Sequence, residues 1–230
     1  MQTFMAWATD PVHGEWSEPV LVYHGQGGTD GDTNLAPVIY PNGSVAGLWR
    51  GVFPAIPGVQ KSGMGIYPMH ATHWKDPTTY VFGHASFANS IMSPLGVSAY
   101  LDEEDPHVWL DAKGRLHAVV HMFLMGGHLA SNDGGYHWRW YGPTTGPTSN
   151  ATAAQNWQKS VFPQRTPVQA DGGGATCTTE LSFQRRERPH VVFNSAGQVM
   201  AVSWGVVPLF TQSDYCWTVT QPSALWKPGK

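Results

Sequence analysis

The sequence predicts an all-β fold, a β-propeller of four-stranded antiparallel blades, and three observations lead there. The first is a repeat. Glu104-Asp105-Pro106-His107-Val108-Trp109 precedes Asp111-Ala112-Lys113-Gly114-Arg115 and an apolar run over 116–122. Glu187-Arg188-Pro189-His190-Val191-Val192-Phe193 precedes Asn194-Ser195-Ala196-Gly197-Gln198 and a second such run over 199–202. A weaker copy opens with Asn34-Leu35-Ala36-Pro37-Val38-Ile39-Tyr40 and continues through Pro41-Asn42-Gly43-Ser44 into 45–49. Each copy reads as a doublet, a proline, a short strand, a glycine-bearing turn and a second strand, which is a β-hairpin. The second observation is their spacing of several tens of residues, the interval at which blades recur. The third is composition: 26 Gly and 18 Pro in 230 residues interrupt the chain too often for long helices.

The totals bound the rest. Length predicts a single domain over 1–230. Only 13% of residues are charged and the net charge is −3, so the chain has no basic field for nucleic acid or an anionic membrane. No apolar run approaches the ~20 residues of a membrane span. The 11 tryptophans serve either as sugar-stacking platforms or as blade packing. Cys177 and Cys216 are the only cysteines, and one pair in a Gly/Pro-rich β protein predicts a disulfide. With the sequons at Asn42 and Asn150, this points to an extracellular protein, although Met1 to Trp7 lacks the charged lead of a signal peptide.

Taken in order, 4–8 reads as a strand, Asp10 to Glu15 as a turn and 18–23 as an outer strand, so the chain begins mid-blade. Either the start is missing, or these strands complete a blade whose inner strands come from the C-terminus, with self-association as a further way to complete the propeller. His24 to Asp32 is too glycine-rich for a strand. The first hairpin follows to Gly51, then a strand over 64–70 and a turn over 72–77. The Glu104 hairpin runs to Met125, and Ser131-Asn132-Asp133-Gly134-Gly135-Tyr136-His137-Trp138 fits Ser-x-Asp-x-Gly-x-x-Trp. Physically this is a hairpin turn: Ser and Asp satisfy turn amides, Gly supplies a positive φ and Trp staples the turn to its blade. It resembles the Asp box of sialidase-like propellers. Residues 141–174 read as a long surface excursion with little regular structure, and 215–219 closes the last blade.

Inner strands line the axis of a propeller, so the doublets that open them converge on one mouth. Two of them carry carboxylates, and paired carboxylates in a cleft are the equipment of glycoside hydrolysis. Asp105-Pro106 with His107-Val108-Trp109 resembles the Arg-Asp-Pro segment of invertases and related furanosidases, and Glu187 before Pro189 is similar to their Glu-Cys-Pro segment. The chain thus resembles the superfamily of arabinanases, xylosidases, invertases and levansucrases, which are five-bladed propellers.

The resemblance implies a catalytic pair. Asp105 stabilises the oxocarbenium-like transition state and Glu187 protonates the leaving oxygen, which burial and a neighbouring carboxylate would favour. The competing reading makes both strand-capping salt bridges, Glu187 with Arg185, Arg186 or Arg188. Glu104 points to the opposite face from Asp105 if the strand is regular, and is structural. These enzymes open their first blade with a carboxylate nucleophile or base, whereas the matching doublet here is Asn34-Leu35, with Asp30 and Asp32 just before it. The base then lies in an absent strand, or the protein binds glycans without cleaving them.

The remaining candidates contact carbohydrate. His107 and His190 share the position after the proline; relatives place a calcium or sodium ion on the axis near such a histidine, so a structural ion is allowed and no cofactor is required. His128 follows Gly126-Gly127, where a ligand could approach the backbone. Asn34, Trp49, Arg50, Arg188 and Trp204 line the cleft or pack. His117 and His121 share a strand face without the further ligands of a zinc site. The leading reading is a glycosidase acting on an oligosaccharide or polysaccharide. The alternatives are a non-catalytic glycan-binding propeller and a sialidase-like protein, whose three-arginine grip would draw on Arg50, Arg115 and Arg188.

Overall fold

A computed structural model describes residues 2–24, 34–53, 63–83, 103–122, 125–142, 160–162, 166–169, 178–181, 183–208 and 217–222. These residues form antiparallel sheets of neighbouring strands, with one short 3-10 helix at Pro77–Thr79. The expected disulfide between Cys177 and Cys216, and the stretch with Asp30 and Asp32, lie outside the described residues.

β1 (Gln2–Met5) pairs with β2 (Val20–His24) around a turn in which Asp10 Oδ1 accepts the amides of Val12 and His13. A four-stranded meander follows, β3 (Ala36–Ile39), β4 (Val45–Phe53), β5 (Gly63–Ala71) and β6 (Val81–Phe82). A second comprises β7 (Glu103–Leu110), β8 (Leu116–Met122), β9 (Met125–Ser131) and β10 (Arg139–Tyr141). β11 (Thr166–Gln169) pairs with β12 (Thr178–Leu181), so the expected loop over 141–174 contains a strand. Its sequence, Thr166-Pro167-Val168-Gln169, is short, carries a proline and offers no apolar alternation by which to read a strand. β13 (Phe183–Phe193), β14 (Val199–Pro208) and β15 (Trp217–Pro222) complete the order.

The three repeats fold as matching hairpins because their turns are built alike. Asp111 Oδ1 accepts from the amides of Lys113 and Arg115, and Asn194 Oδ1 from those of Ala196 and Gln198. Gly43, Gly114 and Gly197 stand at φ 86°, 75° and 74°, a region that costs a side chain about 1–2 kcal/mol. The Ser131–Trp138 turn behaves as its sequence predicts: Ser131 Oγ accepts from Gly135 N, Asp133 Oδ1 accepts from His137 N, and Trp138 Nε1 donates to Gly135 O.

Alternation along the strands decides where the core sits. Leu116, Ala118 and Val120 of β8 face Ala46, Leu48 and Ile66 of the preceding meander, while His117, Val119 and His121 occupy the other face. β7 packs on β3, β4 and β5 on one side and on β13 on the other. The three strands that open the repeats therefore run together.

Candidate functional site

Two matched irregularities build the site. β7 pairs with β8 until the register breaks between Glu104 and His107, and β13 pairs with β14 until it breaks between Glu187 and His190. Each break holds a residue and a proline, and proline has no amide to give a ladder. The residues before the prolines, Asp105 and Arg188, stand at φ 52° and 50°, where non-glycine residues are uncommon. Such bulges re-aim side chains.

Their first consequence corrects the expectation for Glu104. A regular strand would send Glu104 and Asp105 to opposite faces; the bulge brings both to His121. His121 Nδ1 lies 3.2 Å from Glu104 Oε1 and 3.9 Å from Asp105 Oδ2. Arg50 Nη1 of β4 reaches Glu104 Oε2 at 2.7 Å, and its side chain is only 6% exposed. Ligand atoms of Glu104, Asp105 and His121 all lie within 4.8 Å of one another, the spacing of a cation site. The donor set suits calcium poorly, since calcium takes 6–8 oxygens and the Arg50 guanidinium already neutralises Glu104.

The second consequence joins two repeats. The amide of Arg188 donates to Asp105 Oδ2 at 3.0 Å, so the carboxylate of one repeat is fixed against the residue that follows Glu187 in another. Asp105 and Arg188 line a hollow of about 270 Å³ with Asn34, Leu35, His107 and His190, so the openings of all three repeats meet there. The His107 and His190 rings are 4.1 Å apart at 58°. His107 Nε2 is buried without a hydrogen-bond partner among the described residues, as is Asn34 Oδ1. Burial first, then the neighbouring His190, pushes the His107 pKa down to about 4, so its ring is neutral at physiological pH. The Arg188 guanidinium is 79% exposed over the mouth, and its Nη1 lies 3.5 Å from Glu187 Oε2. The hollow thus combines an ionisable carboxylate held by a backbone amide, two imidazoles, an amide oxygen and an exposed cation.

Of the sequence-predicted candidates, Glu187 and Arg50 adjoin the hollow without lining it, and three more are elsewhere. Trp49 is 2% exposed and packs with Tyr23, Tyr67 and Phe82; Trp204 is 1% exposed and packs on Phe162. Both are core side chains. His128 is on β9, where its Nε2 meets His117 Nδ1 at 3.0 Å and its ring lies near Tyr141. The glycines before it make room for the protein itself: a Cβ at Gly127 would fall 1.6 Å from the Trp140 ring, and one at Gly126 2.6 Å from Phe162. Nor do the three arginines converge. Arg50 is held by Glu104, and Arg115 is bound to Asp111 in the β7–β8 turn, at the far end of β7 from Asp105. Sequence reading missed His121 as a neighbour of the site and set Glu104 on the wrong face; Pro106, which forces the bulge, was the available signal for both.

No protein-family model matches the chain, and no curated protein matches it. Among solved structures it is similar to an endo-arabinase from Bacteroides thetaiotaomicron, at 12% identity and a TM-score of 0.45 over 91% of this chain and 63% of that one. It is also similar to a protein of unknown function from Dyadobacter fermentans, at 15% identity and a TM-score of 0.42 over 90% of this chain and 51% of that one. The chain therefore spans less than two thirds of either protein's length.

Proposed function

We propose that the hollow at Asp105 is a carbohydrate site and that the chain is a glycoside hydrolase-like protein acting on an oligosaccharide or polysaccharide. Glu187 gives its proton to the glycosidic oxygen as the bond from that oxygen to the anomeric carbon breaks. A water molecule then bonds to that carbon and loses a proton to solvent, from which Glu187 is reprotonated. Asp105, ionised, offsets the positive charge that builds on the sugar ring. His107, His190 and Asn34 contact sugar hydroxyls, and the exposed Arg188 closes over the mouth. A five-bladed closed propeller and an extracellular location belong to the same proposal, and no step is routed through an ion.

The observation that supports it is the bond from Arg188 N to Asp105, because it brings the carboxylate of one repeat to the Glu187 segment of another. Asn34 supports a second reading. It stands in the hollow where a water-activating carboxylate would be needed, which favours glycan binding without cleavage.

Aryl glycosides and natural polysaccharides screened with wild type and Glu187→Gln test both. Turnover by the wild type that falls about 10²–10⁴-fold in the variant supports the enzyme. Equal turnover in the two removes Glu187 from the mechanism, and binding without turnover in either favours the second reading.

A further inference from the structure

A second hollow, of about 600 Å³, opens where the β3–β4 turn and the end of β5 meet the β9–β10 turn. It shares no lining residue with the Asp105 hollow, and the two lie at opposite ends of β3. Its volume falls in the range of about 300–1,000 Å³ typical of small-molecule pockets.

Its chemistry narrows the occupant. No Asp, Glu, Lys or Arg lines it. Burial lowers the pKa of His70, the one histidine there, which favours a neutral ring. Moving an ion into such a wall would cost hydration that no lining charge offsets; the charge His70 feels, Asp133, stands outside the lining and is already engaged by Ser131 and His137. The floor is apolar, from Val45, Ala46 and Ala71, while hydroxyls and an amide stand around it. Asn42 Oδ1 is taken by the amide and hydroxyl of Ser44, which leaves the Asn42 amide nitrogen as a donor, and the Thr72 hydroxyl has no hydrogen bond to another described residue.

An aromatic platform completes it. Tyr136 is 65% exposed, yet its ring is fixed, stacked on His70 at 4.0 Å and 12°. His70 is anchored in turn by its Nε2, 3.2 Å from Gly134 O. A ring already held in place loses little entropy when a ligand arrives. An apolar floor, a pre-set aromatic ring and uncharged hydrogen-bonding groups match a neutral sugar, which has an apolar C–H face and a rim of hydroxyls.

We infer that this hollow is a second carbohydrate site, which holds an uncharged glycosyl unit of a polymer away from Asp105 and Glu187. It rests on the proposed function only in the choice of sugars to try.

The test is gel retardation in neutral polysaccharides, with calorimetric titration of neutral arabino-, xylo-, fructo- and gluco-oligosaccharides. It compares wild type with Tyr136→Ala, which removes the platform, and Val81→Trp, which fills the hollow from a residue that is 67% exposed. Thermal melts confirm that both variants fold. Affinity at least tenfold weaker in both, with aryl-glycoside turnover or its absence the same as in wild type, is the expected result. Tyr136-dependent binding without any turnover leaves this site standing and removes the enzyme reading alone. Wild-type protein that binds none of these sugars, or variants that bind as tightly as wild type, overturn the second site whatever the turnover screen shows.

Discussion

The backbone amide of Arg188 donates to the Asp105 carboxylate across 3.0 Å, and both residues stand in the left-handed region at φ 50° and 52°. The strain and the bond belong together, since the bulges that cause one create the other. Asp105→Ala deletes the acceptor and puts alanine at a φ that aspartate tolerates better. A loss of about 2–3 kcal/mol in urea denaturation is expected, with Asp105→Asn losing about half as much. Arg188→Gly keeps the amide and relieves the strain, so its stability should stay within about 1 kcal/mol of wild type or exceed it. A larger loss in Arg188→Gly would mean that the backbone there is not strained.

Arg50 and Glu104 form a nearly buried pair at 2.7 Å that ties β4 to β7 beneath the Asp105 hollow. Removing Arg50 takes from Glu104 its closest opposite charge and leaves it His121 as an ion partner. Arg50→Ala should therefore cost about 3–5 kcal/mol, and Arg50→Met combined with Glu104→Gln should recover most of that. A double variant no better than the single one would show that the pair is not the source of the loss.

Much of the fold was legible because hairpins write themselves locally: Asp111 to Gly114 and Asn194 to Gly197 are turns whose side-chain bonds involve residues at most four apart. The meeting of the three repeats at one hollow followed from that repetition. What the sequence hid was direction. Trp49 lies on β4, whose described residues are buried on both faces, so alternation there does not separate core from cleft; on β14 alternation persists, and it turns Trp204 inward. Glu104 was misplaced because pleat alternation holds only while the ladder is regular, and Pro106 breaks it. The Tyr136 hollow joins turns more than sixty residues apart, through His70 and Gly134, and no local pattern announces such a contact.

Acid should weaken the fold. His107 and His128 are each pushed down to about 4, by burial first and then by the facing imidazole, His190 for one and His117 for the other. The unfolded chain takes up these protons near the ordinary histidine value of 6.5, before the folded chain does. Their contribution is therefore fully present above about pH 6.5 and is lost as pH falls toward 4. After discounting for partial exposure, each should cost about 1 kcal/mol between pH 7.5 and 4.5. Carboxylates add their own acid sensitivity, so the measurement is a comparison of urea midpoints. His128→Asn should flatten the fall relative to wild type, and an equally steep fall would assign it elsewhere.

Gly127 and Gly114 separate two reasons for glycine in one protein. Gly127 is needed for space: a Cβ would fall 1.6 Å from the ring of Trp140, itself 8% exposed in the core between the two meanders. That ring cannot retreat freely, because a Cβ at Gly142 would also meet it at 2.5 Å, so it is flanked by glycine on both sides. Gly114 has nothing within 4 Å of its would-be Cβ and is needed only for its φ of 75°. Gly114→Ala should therefore cost about 1 kcal/mol, from backbone strain alone. Gly127→Ala should cost about 3 kcal/mol or more, from overpacking, and should disturb tryptophan near-ultraviolet circular dichroism as well. Equal losses in the two variants would contradict the packing of Trp140 against β9, and with it the reason that His128 follows a pair of glycines.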